Sequence, residues 1–351
     1  MSARSVLGVL DPRKYDVTQI GISHEGAWFT GKDLINWMEH PDQKLPSAAT
    51  ILPDPGHAGV FAIDSSDHHA QINLITGLDV VFPVLHGSFG EDGTIQGLLE
   101  LAGIAYVGAG VLASSVAMDK ALFKDIMRTH GIPVVSSITV TRRQVNSGLE
   151  NITDQVEKLG GYPLFVKPAN MGSSVGITKC RNHSELMEGL MDAIRYDRRV
   201  LIERGVNARE IEVSVLGNED ARTSVPGEIL PSDEFYSYNA KYIDGASVPL
   251  IPAPISDQQR ASVCGYAVKA YKAVDCAGMA RVDFFIDKVT GEIFLNEMNT
   301  IPGFTSISMY PKLWEASGIP YANLVDELIT LALDRQDERD QTERRFGRAR
   351  S

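Results

Sequence analysis

Residues 281–303, RVDFFIDKVTGEIFLNEMNTIPG, gather the side chains best able to act on a charged substrate. The run reads as a β-hairpin. Side chains alternate along a strand, so Arg281 and Asp283 share one face of theirs, and Glu297 and Asn299 likewise share one face of the next strand. With the turn centred on Thr290, antiparallel pairing sets Asp283 opposite Glu297 and Arg281 opposite Asn299. Two carboxylates and an amide oxygen are hard ligands suited to Mg²⁺, which leaves the rest of its shell to phosphates and water. An adjacent guanidinium can hold negative charge developing on a phosphoryl or acyl group. The same charges would suit a solvated hairpin, but Phe284, Phe285 and Ile286 after Asp283, and Phe294 and Leu295 before Glu297, argue for a packed strand.

A second set lies in LFVKPANMGSSVGITK, residues 164–179, a strand ending at Lys167 followed by a loop rich in Gly and Ser. Backbone N–H groups and hydroxyls there can wrap phosphate oxygens while the lysine supplies a point charge. The loop leads into another strand and lacks Gly-Lys-Ser/Thr, so it is not a P-loop, and a plain flexible hairpin is the bland reading. Lys120 sits on a helix, where a lysine is ordinarily solvated. Gly108, Gly110 and Ala113 match GxGxxA before a helix, but about twenty residues onward no acid closes a second strand, which weighs against a dinucleotide site. His86 opens HGSFGEDGTIQG at the carboxyl end of an apolar strand, where open α/β sheets bind ligands. Glu91 and Asp92 precede a helix and are explained as charges at its positive end.

The elements that must position these residues alternate between helical and extended patterns, which implies α/β architecture. A helix is expected over 3–10, a strand over 16–23, a loop over 45–59, a buried strand over 79–85 and helices over 94–102 and 113–130. Between 114 and 206 the pattern is helix, strand, Gly/Ser loop, strand, helix, and a strand at 200–203. Beyond it come strands at 209–216, 281–287 and 292–298, a loop at 231–254 and helices at 257–274 and 321–333. The tail, 334–351, is charged and expected to be frayed.

At 351 residues the chain has room for two or three domains. A formal charge of −12 repels polyanions over most of the surface, so nucleic acid is not an expected partner. No apolar run has the roughly 18 residues of a membrane span, and 6–10 is too short for a signal-peptide core, which points to the cytoplasm. Cys180, Cys264 and Cys276 form no CxxC pair, so they read as reduced packing residues.

Taken together, HGSFGEDGTIQG, VAMDK, FVKPANMGSSVG, LIERGVNAREIEV, NAKY, RVDFF and LNEMNTIPGFTSIS resemble the D-alanine:D-alanine ligases of the ATP-grasp superfamily, in order and spacing, over about residues 79–333. The resemblance implies three domains: a parallel-sheet α/β domain over 1–113, a central ATP-grasp domain over 114–206 and a metal-binding ATP-grasp domain over 207–333. It implies that ATP phosphorylates one D-alanine and that the amine of a second attacks the acyl phosphate, giving D-alanyl-D-alanine for peptidoglycan. Lys120, Lys167, Ser173 and Ser174 would contact the ATP phosphates, Glu203 and Val206 the adenine, and Glu210 the ribose. Asp283, Glu297 and Asn299 would hold two Mg²⁺ ions, with Mn²⁺ as the alternative, and Glu297 would bridge both. Arg281 would stabilise the acyl phosphate and tetrahedral intermediate, and Lys241 would reach the transferred phosphoryl group. Gly303, Ser308 and the Met309 N–H would line the second D-alanine site, with His86 beside the substrates. Tyr242, linked to Ser173, resembles the tyrosine of dipeptide-forming members, whereas ester-forming members tend to differ there. Homodimers are usual in such a family.

Each of these roles has a plainer counterpart: an Arg209–Glu210 ion pair on a strand edge, Ser308 as a helix cap, Tyr242 as loop packing. Phe235, Tyr236 and Tyr238 read as loop anchors. Family members begin with an apolar strand and a glycine-rich turn whose glutamate binds the first D-alanine, and SARSVLGVLD, residues 2–11, matches the helix after that turn. The N-terminal domain is therefore expected to be incomplete. The alternative function is a nucleotide-binding protein with impaired or no ligase activity.

Overall fold

The computed structural model describes residues 1–31, 33–39, 46–66, 69–148, 150–172, 175–230 and 248–343. The first sheet is an antiparallel meander of β1 (Ile20–Ile22), β2 (Trp28–Thr30), β3 (Ser47–Ile51), β4 (Gly59–Ser66) and β5 (His69–Gly77), in that order. The loop expected over 45–59 thus contains β3, because Ala49 and Ile51 alternate inward and are buried. Only Val80–Val81 of the expected strand 79–85 is extended; this β6 pairs in parallel with β7 (Ala105–Tyr106). Pro83 lacks an N–H and cannot continue a ladder. The helix Thr94–Leu101 crosses between them.

Two helices replace the single one expected over 113–130: Val111–Met118 and Lys120–Thr129. Asp119 between them is extended, and its carboxylate accepts from Leu122 N, making it an N-cap inside an otherwise helical pattern. Gly108 has φ +98°, and a Cβ on Gly278 would come 3.1 Å from its backbone nitrogen. Glycine at 108 therefore serves a left-handed turn and glycine at 278 the close backbone approach to it, which replaces the dinucleotide reading.

The central sheet holds β8 (Ser137–Thr141), β9 (Leu164–Pro168), β10 (Thr178–Cys180) and β11 (Arg199–Arg204), ordered β10-β9-β11-β8 and antiparallel throughout. The helix His183–Tyr196 packs Leu186, Leu190 and Ala193 into a core with Leu164, Val166, Val200 and Ile202. The last large sheet orders β12 (Ala208–Leu216), β14 (Gly227–Leu230), β15 (Val248–Leu250), β16 (Met279–Asp287) and β17 (Ile293–Asn299) as β15-β14-β12-β16-β17, with β13 (Arg222–Thr223) beside β12. The helix Asp257–Ala273 and the helix Val111–Met118 contribute to its core, through Val263, Ala267, Ala113 and Ala117.

The final helix runs Tyr321–Asp340, past the expected end at 333, so the tail is not frayed from 334. Arg335 donates to the carbonyls of Tyr106 (2.9 Å) and Gly108 and stacks 4.3 Å from the Tyr106 ring centroid, docking this turn on the rest of the fold.

Candidate active site

Two adjacent rows of side chains cross β12, β16 and β17. In one row Glu212, Asp283 and Glu297 face one another; in the next stand Ser214, Arg281 and Asn299. A β-bulge between Asp283 and Phe284 produces this alignment, since Phe284 pairs with Leu295 while Asp283 pairs with Glu297, leaving Asn296 as the extra residue. Without the bulge Asn296 would stand opposite Asp283 and Glu297 would point at the core. Instead, Leu295 and Met298 fill the core and Glu297 and Asn299 share the face of Asp283 and Arg281.

Arg281 grips Asp283 with both ends of its fork, Nε to Oδ1 at 2.8 Å and Nη2 to Oδ2 at 2.7 Å, and Asn299 Nδ2 donates to the same Oδ2 at 3.0 Å. Glu212 Oε2 lies 3.1 Å from Arg281 Nε. Burial alone would weaken the guanidinium's hold on its proton, but Asp283, Glu212 and Glu297 keep it well above its ordinary range. Glu210, Glu212, Asp283 and Glu297 line a crevice of about 30 Å³. Among the described residues no three His, Cys, Asp or Glu side chains form a metal cage by themselves. Two acids and an amide that leave coordination positions to phosphate and water fit a hard divalent cation, and the excess of carboxylates over the single Arg281 fits its charge.

On the other side of the β11–β12 connection, Lys167 Nζ donates to Glu203 Oε1 at 2.6 Å, and Lys124 pairs with Glu203 Oε2. All three are buried. Burial would raise the Glu203 carboxyl, but Lys124 and Lys167 pull it down to about 2, so it stays ionised. Lys120 Nζ donates to Met171 O at 2.5 Å, bringing a third lysine to the edge of the 168–172 segment. Val206 lies in the short link between β11 and β12, where Gly205 N donates to Pro163 O at 2.8 Å. Arg209 forks onto Glu228 at 2.8 and 2.6 Å, a partner other than the Glu210 of the plainer reading.

His86 Nδ1 is 2.9 Å from Ile301 O and Nε2 is 3.1 Å from Ser2 Oγ. A carbonyl only accepts, so Nδ1 carries the proton and Nε2 accepts from the hydroxyl. Burial, and then the charge of Arg281, hold this imidazole below its ordinary range and so neutral. Glu91 is not a cap. It accepts from Gly87 N at 2.7 Å and Ile301 N at 3.0 Å, whereas Asp92 takes Phe89 N and Thr94 N at the helix start.

Ser308 makes no side-chain cap bond; its hydroxyl is 2.8 Å from Thr305 Oγ1 and accepts from Thr305 N at 3.1 Å. A Cβ on Gly303 would come 2.9 Å from that hydroxyl, so glycine lets the turn close over it. Met309 opens the helix Met309–Ala316 and turns its side chain into the core with Ile229 and Leu313. Its backbone N–H is among the first of that helix, a group suited to a carboxylate.

Ser173, Ser174, Lys241 and Tyr242 lie outside the described residues, as do Phe235, Tyr236 and Tyr238. Sequence reasoning passed over Lys124, Glu212, Ser2 and the bridging role of Glu91. Lys124 carried a signal, because Lys124 and Met127 fall on one face of a helix that also buries Ala121 and Phe123. Glu212 carried another, since it shares a strand face with Glu210.

Comparison with known proteins bears on this arrangement. Residues 1–109 match the family model described as D-ala D-ala ligase N-terminus, and residues 126–330 match D-ala D-ala ligase C-terminus. The chain is 48% identical over 345 residues to a D-alanine–D-alanine ligase from Heliobacterium modesticaldum, covering 98% of this chain and 93% of that protein. It is 50% identical over 341 residues to one from a Thermoanaerobacter species, covering 97% and 93%. Among solved structures, the D-alanine-D-alanine ligase from Coxiella burnetii superposes with a TM-score of 0.81 at 36% identity, covering 97% of this chain and 90% of that one. The VanG D-Ala:D-Ser ligase from Enterococcus faecalis gives 0.82 at 35% identity, covering 94% of each.

Proposed function

The chain belongs to the D-alanine–D-alanine ligase family, and from that premise we infer which of its residues perform the family's reaction. The protein is an ATP-dependent, ADP-forming ligase of ATP-grasp fold that joins two D-alanine molecules into D-alanyl-D-alanine for peptidoglycan precursors, and it uses a divalent metal. In our reading the ions are two Mg²⁺, or Mn²⁺ in their place, held by Asp283, Glu297 and Asn299. When bound, they supply positive charge against the triphosphate.

Arg281 faces the oxygen that gains charge as the first D-alanine carboxylate attacks the γ-phosphorus and ADP leaves. It serves again when the second amine attacks the acyl carbon, a proton is lost from that amine and phosphate departs. Lys120, Lys167, Ser173 and Ser174 hold the phosphates and Lys241 the group in transfer. Glu203, Val206 and Glu210 take the adenine and ribose. Gly303, Ser308 and the Met309 N–H receive the second substrate's carboxylate, His86 acts as a neutral neighbour, and Tyr242 and Ser173 serve the first D-alanine site. We divide the chain into domains at 1–113, 114–206 and 207–333 and expect a homodimer working in the cytoplasm.

The observation that supports this reading most is the pair of rows in which Glu212, Asp283 and Glu297 face one another beside Arg281 and Asn299. The experiment is to incubate the protein with ATP, Mg²⁺ and D-alanine and to quantify ADP and dipeptide together. Equal amounts of both, absent when L-alanine replaces D-alanine, are expected. ADP release without dipeptide would leave only nucleotide binding and hydrolysis.

A further inference from the structure

We propose that Glu212 is a positioning residue for Arg281, holding its guanidinium on the sheet while Asp283 exchanges that guanidinium for a metal ion. The inference deepens the ligase reading and rests on Asp283 being a metal ligand.

Both oxygens of Asp283 are engaged on the sheet: Oδ1 by Arg281 Nε, Oδ2 by Arg281 Nη2 and Asn299 Nδ2. A carboxylate has about four lone-pair sites, and turning them toward a cation weakens the bonds already made. An arginine with Asp283 as its sole anchor would then lose its bidentate partner at the moment its position matters. Arg281 has a second anchor. Glu212 Oε2 lies 3.1 Å from Nε, on the neighbouring strand and one row across from Ser214, which stands directly opposite Arg281. Its side chain is 7% exposed, against 16% for Arg281, so it has little freedom to follow the metal outward. Being on the β12 side while Glu297 and Asn299 are on the β17 side, Glu212 keeps Arg281 from following Asp283 and Glu297. A buried carboxylate that shares a guanidinium with a metal ligand is thus a means of keeping the arginine still through the exchange.

The test reads Arg281 directly in the full-length protein. In a ¹⁵N–¹H spectrum the Arg281 Nε–H signal, assigned by its loss in Arg281→Lys, should be protected from solvent exchange in the metal-free protein. On addition of Mg²⁺ and ADP it should remain protected in the wild type and exchange at least tenfold faster in Glu212→Gln. The kcat of Glu212→Gln should fall at least tenfold with the KM for ATP within about threefold. In an Arg281→Lys background the same change should cost less than twofold. Equal protection in wild type and Glu212→Gln, or loss of protection in the wild type on adding Mg²⁺ and ADP, would overturn the proposal. Should the glutamine variant fail to fold, Glu212→Asp withdraws the charge by one methylene; intermediate exchange supports the proposal and wild-type protection overturns it. Mn²⁺ titration of Asp283→Asn with ADP present separates the two layers. Unchanged Mn²⁺ affinity would remove the metal reading and this inference together, whereas a large loss with no Glu212 effect would remove only this inference.

Discussion

At the scale of single residues, buried charge decides what each side chain can do. Glu203 is ionised because two lysines share it, and Lys124 makes its ion pair with that same carboxylate. Removing one partner of a buried pair leaves a charge uncompensated, a cost of about 3–5 kcal/mol. Lys167 remains in Lys124→Met, so the expected loss is about 3 kcal/mol in urea denaturation. Lys167 would also be drawn more tightly to Glu203, raising the KM for ATP severalfold. Stability within 1 kcal/mol of wild type, with unchanged KM, would count against this account. Arg281, Asp283, Glu297 and Asn299 could be read because strand alternation and flanking phenylalanines set polar side chains on an otherwise packed hairpin. For Lys124 and Glu212 the face they share with neighbours was legible but their role was not, because their partners, Glu203 and Arg281, lie far along the chain and only the fold brings them near.

At the scale of elements, a cap and a bulge each set the aim of functional residues. Asp119 ends one helix and starts the next, so that Lys120 begins a new helix with its N–H on Ala169 O at 2.8 Å. Its second oxygen meets Arg199. Asp119→Ala should cost about 2 kcal/mol, roughly half from the cap and half from the stranded Arg199, and should weaken ATP binding through Lys120. Asp119→Asn keeps a cap of equal quality, so it should retain the ATP affinity while losing only the ion-pair share. Isothermal titration with ATP beside thermal melts measures both, and equal ATP weakening in the two variants would refute the cap argument. Neither the break at Asp119 nor the bulge at Asn296 was visible as such, because each interrupts a pattern that reads as continuous. The hairpin pairing was still obtained from a turn placed at Thr290, since the bulge restores the register that the shorter turn displaces. β5 was missed for another reason: nearly all of it is exposed, so it lacks the one-sided burial by which a strand is recognised in sequence.

At the scale of the whole molecule, the site depends on ties between its early and late segments, and Glu91 is the clearest of them. Its carboxylate receives Gly87 N from the loop after β6 and Ile301 N from the segment after β17. Burial pushes this carboxyl up from an ordinary 4.5 to about 7, against the two N–H bonds that oppose the shift. The folded state therefore binds a proton more tightly than the unfolded chain does. This contribution to stability is fully present below about pH 4.5. It declines at up to about 1.4 kcal/mol per pH unit as the unfolded chain releases the proton first, and is lost above about pH 7. Every other carboxylate also responds to pH, so the informative quantity is the difference between the wild type and Glu91→Gln, which cannot titrate. That difference should shift in favour of the variant by about 3 kcal/mol between pH 4.5 and 8 and then level off, read by urea denaturation at matched ionic strength. Since the protonated carboxyl keeps acceptor capacity on both oxygens whereas the amide nitrogen has none, the variant should remain the less stable protein at the acid end. A difference that does not vary with pH would mean that Glu91 has the same proton affinity folded and unfolded, and that this tie is simply two hydrogen bonds.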